Sequence, residues 1–427
     1  MSSAAIVLII VLIVALLCGL PIVWSLALAS VVSIAMNPDM DYVLVAQRLF
    51  SGADSFSLLA VPAFMLAGDL MSKGGLSKRL VNFANAFFGW ISGGISIVAL
   101  MSCTFFAAIS GSSVATTAAI GGLMYPEMRK KGYPADYSAA LQAVGGILGI
   151  VIPPSIVFVI YGNVTGVSVS RLLMSGVVPG IFCGILLCVY AWFVAKKKKF
   201  PKEDKFQGKE ALRATKDAIW ALLMPVIILG GIYLGIFTPT ESAVVAIFYG
   251  LIVCIFVYKE LKLKDVWEIL KNTSKVTANL MILVVTAQVF GYLVTYYNIP
   301  VTAAEWFMSF CNSKTMFLLI VIVLLMVAGM FIDNGSIILI LGPILAPLAV
   351  NYGVDPVHFG LLVVFLLAIG QITPPFGTCL FVACGFSGRK VSGLSKEVLP
   401  FIAVEVVCAV LFAFVPAIAM FLPNLLS

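Results

Sequence analysis

Runs of apolar residues, most of them long enough to cross a bilayer, alternate with short polar connections along the whole chain. The first, 4–36, exceeds the roughly 20 residues that one span needs. It reads as one tilted helix, or as a helix and a short second piece bent at Gly19-Leu-Pro21. A polar connection over 37–55, a candidate interfacial helix, leads to runs over 57–71 and 80–100. The run 101–124 is rich in Ser, Thr, Ala and Gly, which suits close helix approach and polar contacts inside a bundle rather than a lipid-facing surface. Later runs cover 145–166, 171–195, 219–237, 242–258, 276–297, 301–310, 317–350, 357–386 and 397–422. Residues 259–275 are amphipathic and basic, and read as lying along the cytoplasmic interface. The pattern predicts an all-α polytopic membrane protein with about eleven or twelve membrane-inserted segments, two or more of which do not cross fully.

Two of these runs carry a double proline at their middle: Pro153-Pro154 within 145–166, and Pro374-Pro375 within 357–386. Adjacent prolines remove two backbone donors and clash with the preceding turn, so no continuous helix runs through them. In hydrocarbon the freed carbonyls are tolerated only against protein or a wet cavity. Secondary transporters build ion and substrate sites from such breaks, with carbonyls on the cation and a half-helix N-terminus facing the anion.

Composition agrees: 62% of the 427 residues are hydrophobic and 11% charged, which excludes an ordinary soluble globular protein. The net charge of +7 resides in loops and requires no nucleic acid. Residues 196–217 hold nine Lys or Arg against four Asp or Glu, which places them in the cytoplasm. Nine cysteines stand singly, and no CxxC or HExxH occurs, so nothing supports a transition-metal site or a disulfide framework.

The two halves repeat. An ungapped offset of 221 superimposes Gly121 on Gly342, Pro126 on Pro347, Gly132 on Gly353, Gly149 on Gly370, both double prolines, and Pro179 on Pro400. Identity is 11 of 74 positions between Ala107 and Gly180, and seven of those 11 are Gly or Pro, the residues that fix backbone shape. The implied organisation is a first repeat over 1–195, with a hairpin near 90–127 and a broken helix over 135–166. The basic connection 196–217 follows, then a second repeat over 218–427, with a hairpin near 315–350 and a broken helix over 357–386. Hydropathy alone leaves the relative orientation of the copies open. Inversion is the arrangement expected of paired helix breaks.

Under the same offset Ser110-Gly-Ser-Ser113 falls on Phe331-Ile-Asp-Asn334. Each copy thus brings a polar cluster, at what reads as a hairpin tip, towards its own double proline. Hydroxyls, amide, carboxylate and exposed carbonyls are hard oxygen ligands suited to Na+. One cation site is assigned to Ser110, Ser113, Gly149, Ile152 and Pro154, and a second to Asp333, Asn334, Gly370, Thr373 and Pro375. For any single Ser or Gly, helix packing is an equal alternative. Asp333 stands in a run without any other charge, where it either ligates an ion, receives substrate hydroxyls or caps a broken helix. Tyr161 and Asn163 end the first broken helix and either line the cavity or close the helix. Glu241 reads as a helix N-terminal residue, Asp69 and His358 as interfacial, and Arg171 and Arg389 as snorkelling membrane-end arginines. Glu405 lies inside a span with no evident partner.

An intramembrane enzyme would need a Ser–His pair, two intramembrane Asp or HExxH, none of which is evident. A channel would be expected to carry a symmetric filter motif, whereas duplication with broken helices fits alternating access.

Gly111-Ser-Ser-Val-Ala115, Tyr125-Pro-Glu-Met128, Gly132-Tyr133, Ile152-Pro-Pro-Ser-Ile156, Tyr161-Gly162, Pro179-Gly180 and Gly235-Ile-Phe-Thr-Pro-Thr-Glu-Ser242 together resemble the large membrane subunit of TRAP (tripartite ATP-independent periplasmic) transporters, DctM type. The resemblance spans essentially the whole chain. It implies an elevator carrier, with a transport domain bearing two re-entrant hairpins inside a scaffold of tilted helices. It also implies Na+-coupled uptake of an organic anion across a bacterial inner membrane. The implied partners are a small four-helix membrane subunit on a separate chain and a soluble periplasmic binding protein. Substrate is then expected between the two ion sites, which adds Ser112, Ser155 and Asp333, with Tyr161 and Asn163, as its contacts. Among the family's substrates sialic acid is favoured, with C4-dicarboxylates and keto acids next. The alternative is a stand-alone Na+- or H+-coupled symporter or antiporter. The two repeats differ chemically, with Ser112 opposite Asp333.

Overall fold

A computed structural model describes residues 3–38, 40–201, 206–311 and 313–426, and all regular structure among them is helical. The first half comprises α1 (Ser3–Leu17), α2 (Ile22–Ala35), α3 (Val43–Ala53), a 3₁₀ turn (Phe56–Leu59) running into α4 (Ala60–Lys73), α5 (Leu76–Phe88), α6 (Gly94–Ser110), α7 (Ser113–Lys130), α8 (Ala135–Gly146), α9 (Leu148–Val151), α10 (Ile156–Thr165) and α11 (Val169–Lys197). The second comprises α12 (Gly208–Tyr233), α13 (Pro239–Ile252) with a π turn to Val257, α14 (Leu263–Tyr296), α15 (Ile299–Phe310), α16 (Lys314–Phe331), α17 (Asn334–Asn351), α18 (Pro356–Gly370), α19 (Thr378–Ser387), α20 (Val391–Phe414) and α21 (Pro416–Leu425).

Eight helical segments among the described residues are long and apolar enough to cross a bilayer, or nine when Ala135–Val151 and Ile156–Thr165, bent by 43° at the first double proline, count as one. The shorter apolar helices make up the remainder. Large apolar side chains such as Phe193, Val226, Phe248, Phe256 and Val323 stay exposed on the outside, as a lipid solvent permits.

Three stretches divide differently from the hydropathy reading. The run 4–36 is two helices of nearly equal length, α1 and α2, packed on each other and joined through Gly19 at φ +79°. The run 80–100 is not one helix: α5 ends at Gly89, and α6 starts afresh after Gly93, where a Cβ would strike that of Ala195. Residues 259–275 are not a separate interfacial helix. The 34 residues of α14 run on without a break, about 51 Å at 1.5 Å per residue, so its charged start projects beyond the bilayer.

The repeat extends to the elements themselves. The 221-residue offset carries Ser113–Lys130 onto Asn334–Asn351, and it sets α6 on α16, α8 on α18 and α10 on α19 to within one residue at their starts. Both Pro-Pro bonds are cis. Each hairpin's second helix packs on the other repeat's post-break helix, α7 on α19 and α17 on α10, the reciprocity that a pseudo-two-fold produces.

Helix α11 gives the direction. Its first turn meets α18, where a Cβ on Gly360 would touch Leu172. Gly176 and Gly180 let Val151 and Ile152 approach its backbone, and its end meets the mouth of the α6–α7 hairpin at Gly93 and, just beyond it, through the Tyr133–Phe200 ring pair, 4.4 Å between centroids. The mouth of the α16–α17 hairpin lies at the opposite end: Lys314 Nζ donates to Gly353 O, and Val350 and Asp355 share a cavity wall with Arg171. The 29 residues of α11 span about 43 Å, so the two hairpins enter from opposite ends of one full-length helix.

Candidate functional site

At the first tip, α6 ends on Ser110 and the chain reverses at Gly111, whose φ of +64° favours glycine. Ser112 is extended and caps α7, its Oγ accepting from Ala115 N at 3.3 Å. The tip docks on the first break: Ile156 N donates to Gly111 O at 3.3 Å, and a Cβ on Gly111 would stand 2.7 Å from Pro154 O. Gly149 lies beneath it, with room for no side chain between Ser112 O and Thr116 Oγ1, each 2.5 Å from where a Cβ would be. Ser110 Oγ and Thr116 Oγ1 share a hydrogen bond of 2.7 Å, and Thr116 Oγ1 also reaches Ser112 O at 2.8 Å. Ser110, Gly149 and Pro154 are thus neighbours in a buried network of hydroxyls and carbonyls. Ile152 is extended at the end of α9 and turns its side chain to Gly180 on α11. The hydroxyl of Ser113 points elsewhere, donating to Gln371 Oε1 in the second break.

At the second tip Ile332 and Asp333 are extended, and Asp333 caps α17 by accepting from Ser336 N at 3.0 Å and from Ser336 Oγ at 2.5 Å. Its carboxylate is exposed, whereas Asn334 beside it is 3% exposed, and neither end of its amide has a partner among the described residues. Gly370 touches the α16 backbone at Gly329. Thr373 N closes a turn on Gly370 O at 3.1 Å, and its hydroxyl donates to Ile369 O at 2.7 Å. Phe331 on the tip packs on Phe376, next to the exposed Pro375, at 5.8 Å between centroids.

The two assemblies meet. Gln371 Oε1 receives Ser113 and lies 3.6 Å from Cys379 Sγ, while Gly335 packs towards Ile160 on α10. Sequence reasoning passed over Gln371 and Thr116 as ligands. Thr116 stands one helical turn from Ser112, and Gln371 follows Gly370 within the break, which are the signals that could have found them.

The five substrate candidates do not form one pocket. Ser112 and the buried Ser155, which caps α10, belong to the first tip and break. Asp333 is on the second tip. Tyr161 is fully buried with its ring against Gly360. Asn163 lies eight residues beyond Ser155, about 12 Å along α10, where Nδ2 donates to Ser55 Oγ at 2.7 Å and Oδ1 accepts from Gln288 Nε2 at 3.2 Å. It lines a cavity of about 1140 Å³ between α3 and α14 on one side and α10, α17 and the start of α11 on the other.

The remaining charged candidates separate clearly. Arg389 forms a two-point pair with Asp136, at 2.5 and 3.0 Å, whereas Arg171 lines the cavity with its buried Nε unpartnered among the described residues. His358 is not interfacial: it is buried in the core, its Nε2 2.8 Å from Phe412 O. Glu241 forms a capping box with Thr238, and Asp69 accepts from Thr273 at 2.7 Å. Glu405 is completely buried, with neither carboxylate oxygen hydrogen-bonded among the described residues. No group of three or more His, Cys, Asp or Glu gathers there either.

Residues 9–418 match the family model described as the tripartite ATP-independent periplasmic transporter, DctM component. The chain is 40% identical over 403 residues to the C4-dicarboxylate TRAP transporter large permease DctM of Pseudomonas aeruginosa, covering 94% of each chain. It is 42% identical over 404 residues to the isethionate TRAP permease DctMQ of Oleidesulfovibrio alaskensis, covering 94% of this chain and 64% of that one. It is 36% identical over 407 residues to the sialic acid TRAP large permease SiaM of Vibrio cholerae, covering 95% of each. Among solved structures, the YdaH transporter of Alcanivorax borkumensis shares the fold with a TM-score of 0.68 at 15% identity, over 92% of this chain and 95% of that one. These relatives are permeases, not enzymes. By a family match spanning both hairpins and both breaks, this chain belongs to the DctM large permease subunits of the TRAP transporters, multi-span proteins of the bacterial inner membrane.

Proposed function

We propose that the chain is the permease of a Na+-coupled importer of an organic acid anion, working with a small membrane subunit and a periplasmic binding protein. The observation that carries this reading is the pair of hairpin tips, each docked on its own double-proline break and tied to each other through Ser113 and Gln371. Ser110, Thr116, Gly149 and the carbonyl of Pro154 offer one Na+ a set of hard oxygens. Asn334, Thr373 and the carbonyl of Gly370 offer the same to a second, with Asp333 at the rim. Na+ bound there offsets the substrate's carboxylate in a low dielectric, so ions precede tip closure.

The positive-inside rule puts Lys196–Lys199 in the cytoplasm, so the α6–α7 hairpin opens inwards and the α16–α17 hairpin outwards. The hairpins with α8–α10, α18 and α19 form the moving body of an elevator, and α3, α4, α12–α14 belong to the frame it slides along. Relatives named for C4-dicarboxylate, isethionate, 2,3-diketo-L-gulonate and sialic acid share an acidic small molecule. Identity of 36% to the sialic acid relative against 40% to a C4-dicarboxylate one gives sialic acid no preference.

The test is uptake into liposomes containing the permease and its small subunit, with the binding protein outside. Uptake should follow an inward Na+ gradient and vanish in Asp333→Ala, while the variant still assembles with its partner. Na+-independent uptake, or full activity of the variant, would refute the reading.

A further inference from the structure

Resting on the reading of the chain as an organic-anion permease, we propose that the cavity at the mouth of the outward-opening hairpin is a second anion site, a capture site that holds the substrate's carboxylate on Arg171 and Arg48 before it reaches the tips. The cavity lies between the proposed frame and the moving body, at the end of α11 opposite Lys196–Lys199. Neither guanidinium is within ion-pair distance of a carboxylate among the described residues. Among the described residues Arg171 has its Nε buried without a hydrogen-bond partner, and Arg48 is held over the Tyr292 ring at 3.9 Å to the centroid. A buried donor left unpaired is costly unless a ligand completes it.

Asp54 and Asp355 in the wall balance the two arginines in formal charge, but among the described residues neither carboxylate is within ion-pair distance of a guanidinium. Asp355 is engaged in capping α18, accepting from Val357 N at 2.8 Å and His358 N at 3.1 Å, and Asp54 stands exposed at the end of α3. The N-terminus of the 29-residue α11 opens into the same wall at Gly166–Ser168, which adds a partial positive charge. Asn163, Gln288 and Ser55 supply neutral hydrogen-bonding groups for hydroxyls. A volume of about 1140 Å³ is at the upper end of the small-molecule range, room for a sugar-sized acid with water. Because walls on both bodies contribute, sliding of one past the other would dismantle the site and release the anion towards the tips.

The experiment uses the complete transporter in liposomes and reads uptake of labelled succinate and labelled sialic acid against the concentration of loaded binding protein. Arg171→Gln and Arg48→Gln should each raise the half-saturating concentration about tenfold, equivalent to about 1.4 kcal/mol, at little change in maximal rate and with unaltered affinity of the permease for the binding protein. Arg171→Lys should recover part of the loss, and the effect should shrink at high salt. An unchanged half-saturation in both Gln variants overturns the capture site and leaves the permease reading intact. So does a loss confined to maximal rate, the mark of a structural role, or a loss explained by weaker docking of the binding protein. Wild-type transport of neither acid would overturn the choice of acids and the capture site with it.

Discussion

Gly149 and Gly370 occupy equivalent positions in the two repeats, and neither has room for a side chain. A methyl at 370 would stand 2.6 Å from both Cα and the carbonyl carbon of Gly329 and 2.9 Å from its oxygen, all backbone atoms of α16. Carbon contacts are comfortable at about 3.5–4.0 Å, so Gly370→Ala must drive α16 and α18 apart by about 1 Å. Overpacking of this kind costs about 1–3 kcal/mol, and the upper end applies where no rotamer change relieves it. Gly329→Ala is the internal control. Its methyl meets Gly370 Cα at 3.1 Å, a shift of a few tenths of an ångström, and alanine inside a helix regains about 0.5–1 kcal/mol over glycine. Thermal unfolding of the purified subunit should therefore place Gly370→Ala roughly 3 °C below wild type, with Gly329→Ala close to it. Gly149→Ala should resemble Gly370→Ala, since its methyl meets the Ser112 carbonyl oxygen at 2.5 Å. Na+-dependent uptake should be lost in both, because each substitution shifts the backbone of a residue proposed to ligate the ion. Equal stability of the two α16–α18 variants, or a greater loss in Gly329→Ala, would refute the packing argument.

Asn334→Leu removes a buried amide with no partner at either end among the described residues, so it should raise the unfolding temperature while abolishing Na+-dependent uptake. A less stable variant with intact uptake would show that the amide serves packing alone. Glu405 is buried without a hydrogen bond among the described residues, where a charge costs several kcal/mol. Glu405→Gln should consequently unfold at or above the wild-type temperature, and a drop of several degrees would reveal a partner for the carboxylate. Asp136→Asn breaks the exposed two-point pair with Arg389. Its effect on denaturant unfolding should stay below about 1 kcal/mol and fade with added salt, and a salt-independent loss would contradict this.

Much of the fold was legible because its defining events are backbone events. Gly111, Gly149, Gly370 and the two double prolines advertise a reversal, two close approaches and two breaks by residue type alone, and their common spacing revealed the repeat. The run 80–100 misled because Gly89 and Gly93 end and restart helices inside a mostly apolar segment, and hydropathy averages over a turn that includes Trp90 and Ile91. Residues 263–290 misled in the opposite sense. Polarity falls sharply midway, yet no Gly or Pro interrupts them, so the helix simply leaves the membrane. The site was legible only where ligands are local. Ser110 and Ser112 share one tip and Asp333 and Asn334 the other, but Ser113 meets Gln371 across 258 residues, and Arg48 faces Arg171 in one cavity wall that joins a polar connection to a snorkelling candidate. Neither pairing has a local signature.

The two tips perform one backbone task with different charge. Ser112 Oγ accepts from Ala115 N and Asp333 from Ser336 N, equivalent bonds under the offset, so either residue satisfies the helix start. What distinguishes them is the carboxylate. At the first tip a bound Na+ would meet only neutral oxygens and keep its full charge towards neighbouring ligands. At the second the Asp333 carboxylate would neutralise it. On the proposed reading the two ions are therefore unequal in what they offer an anion, and the substrate's carboxylate belongs nearer the first tip, beside Ser112 and the start of α10 at Ser155. Its hydroxyls belong nearer Asp333, which can accept from them once Ser336 yields. On that reading duplication supplies the geometry of two cation sites, and divergence at a single capping position would make one of them complementary to the acidic end of the cargo.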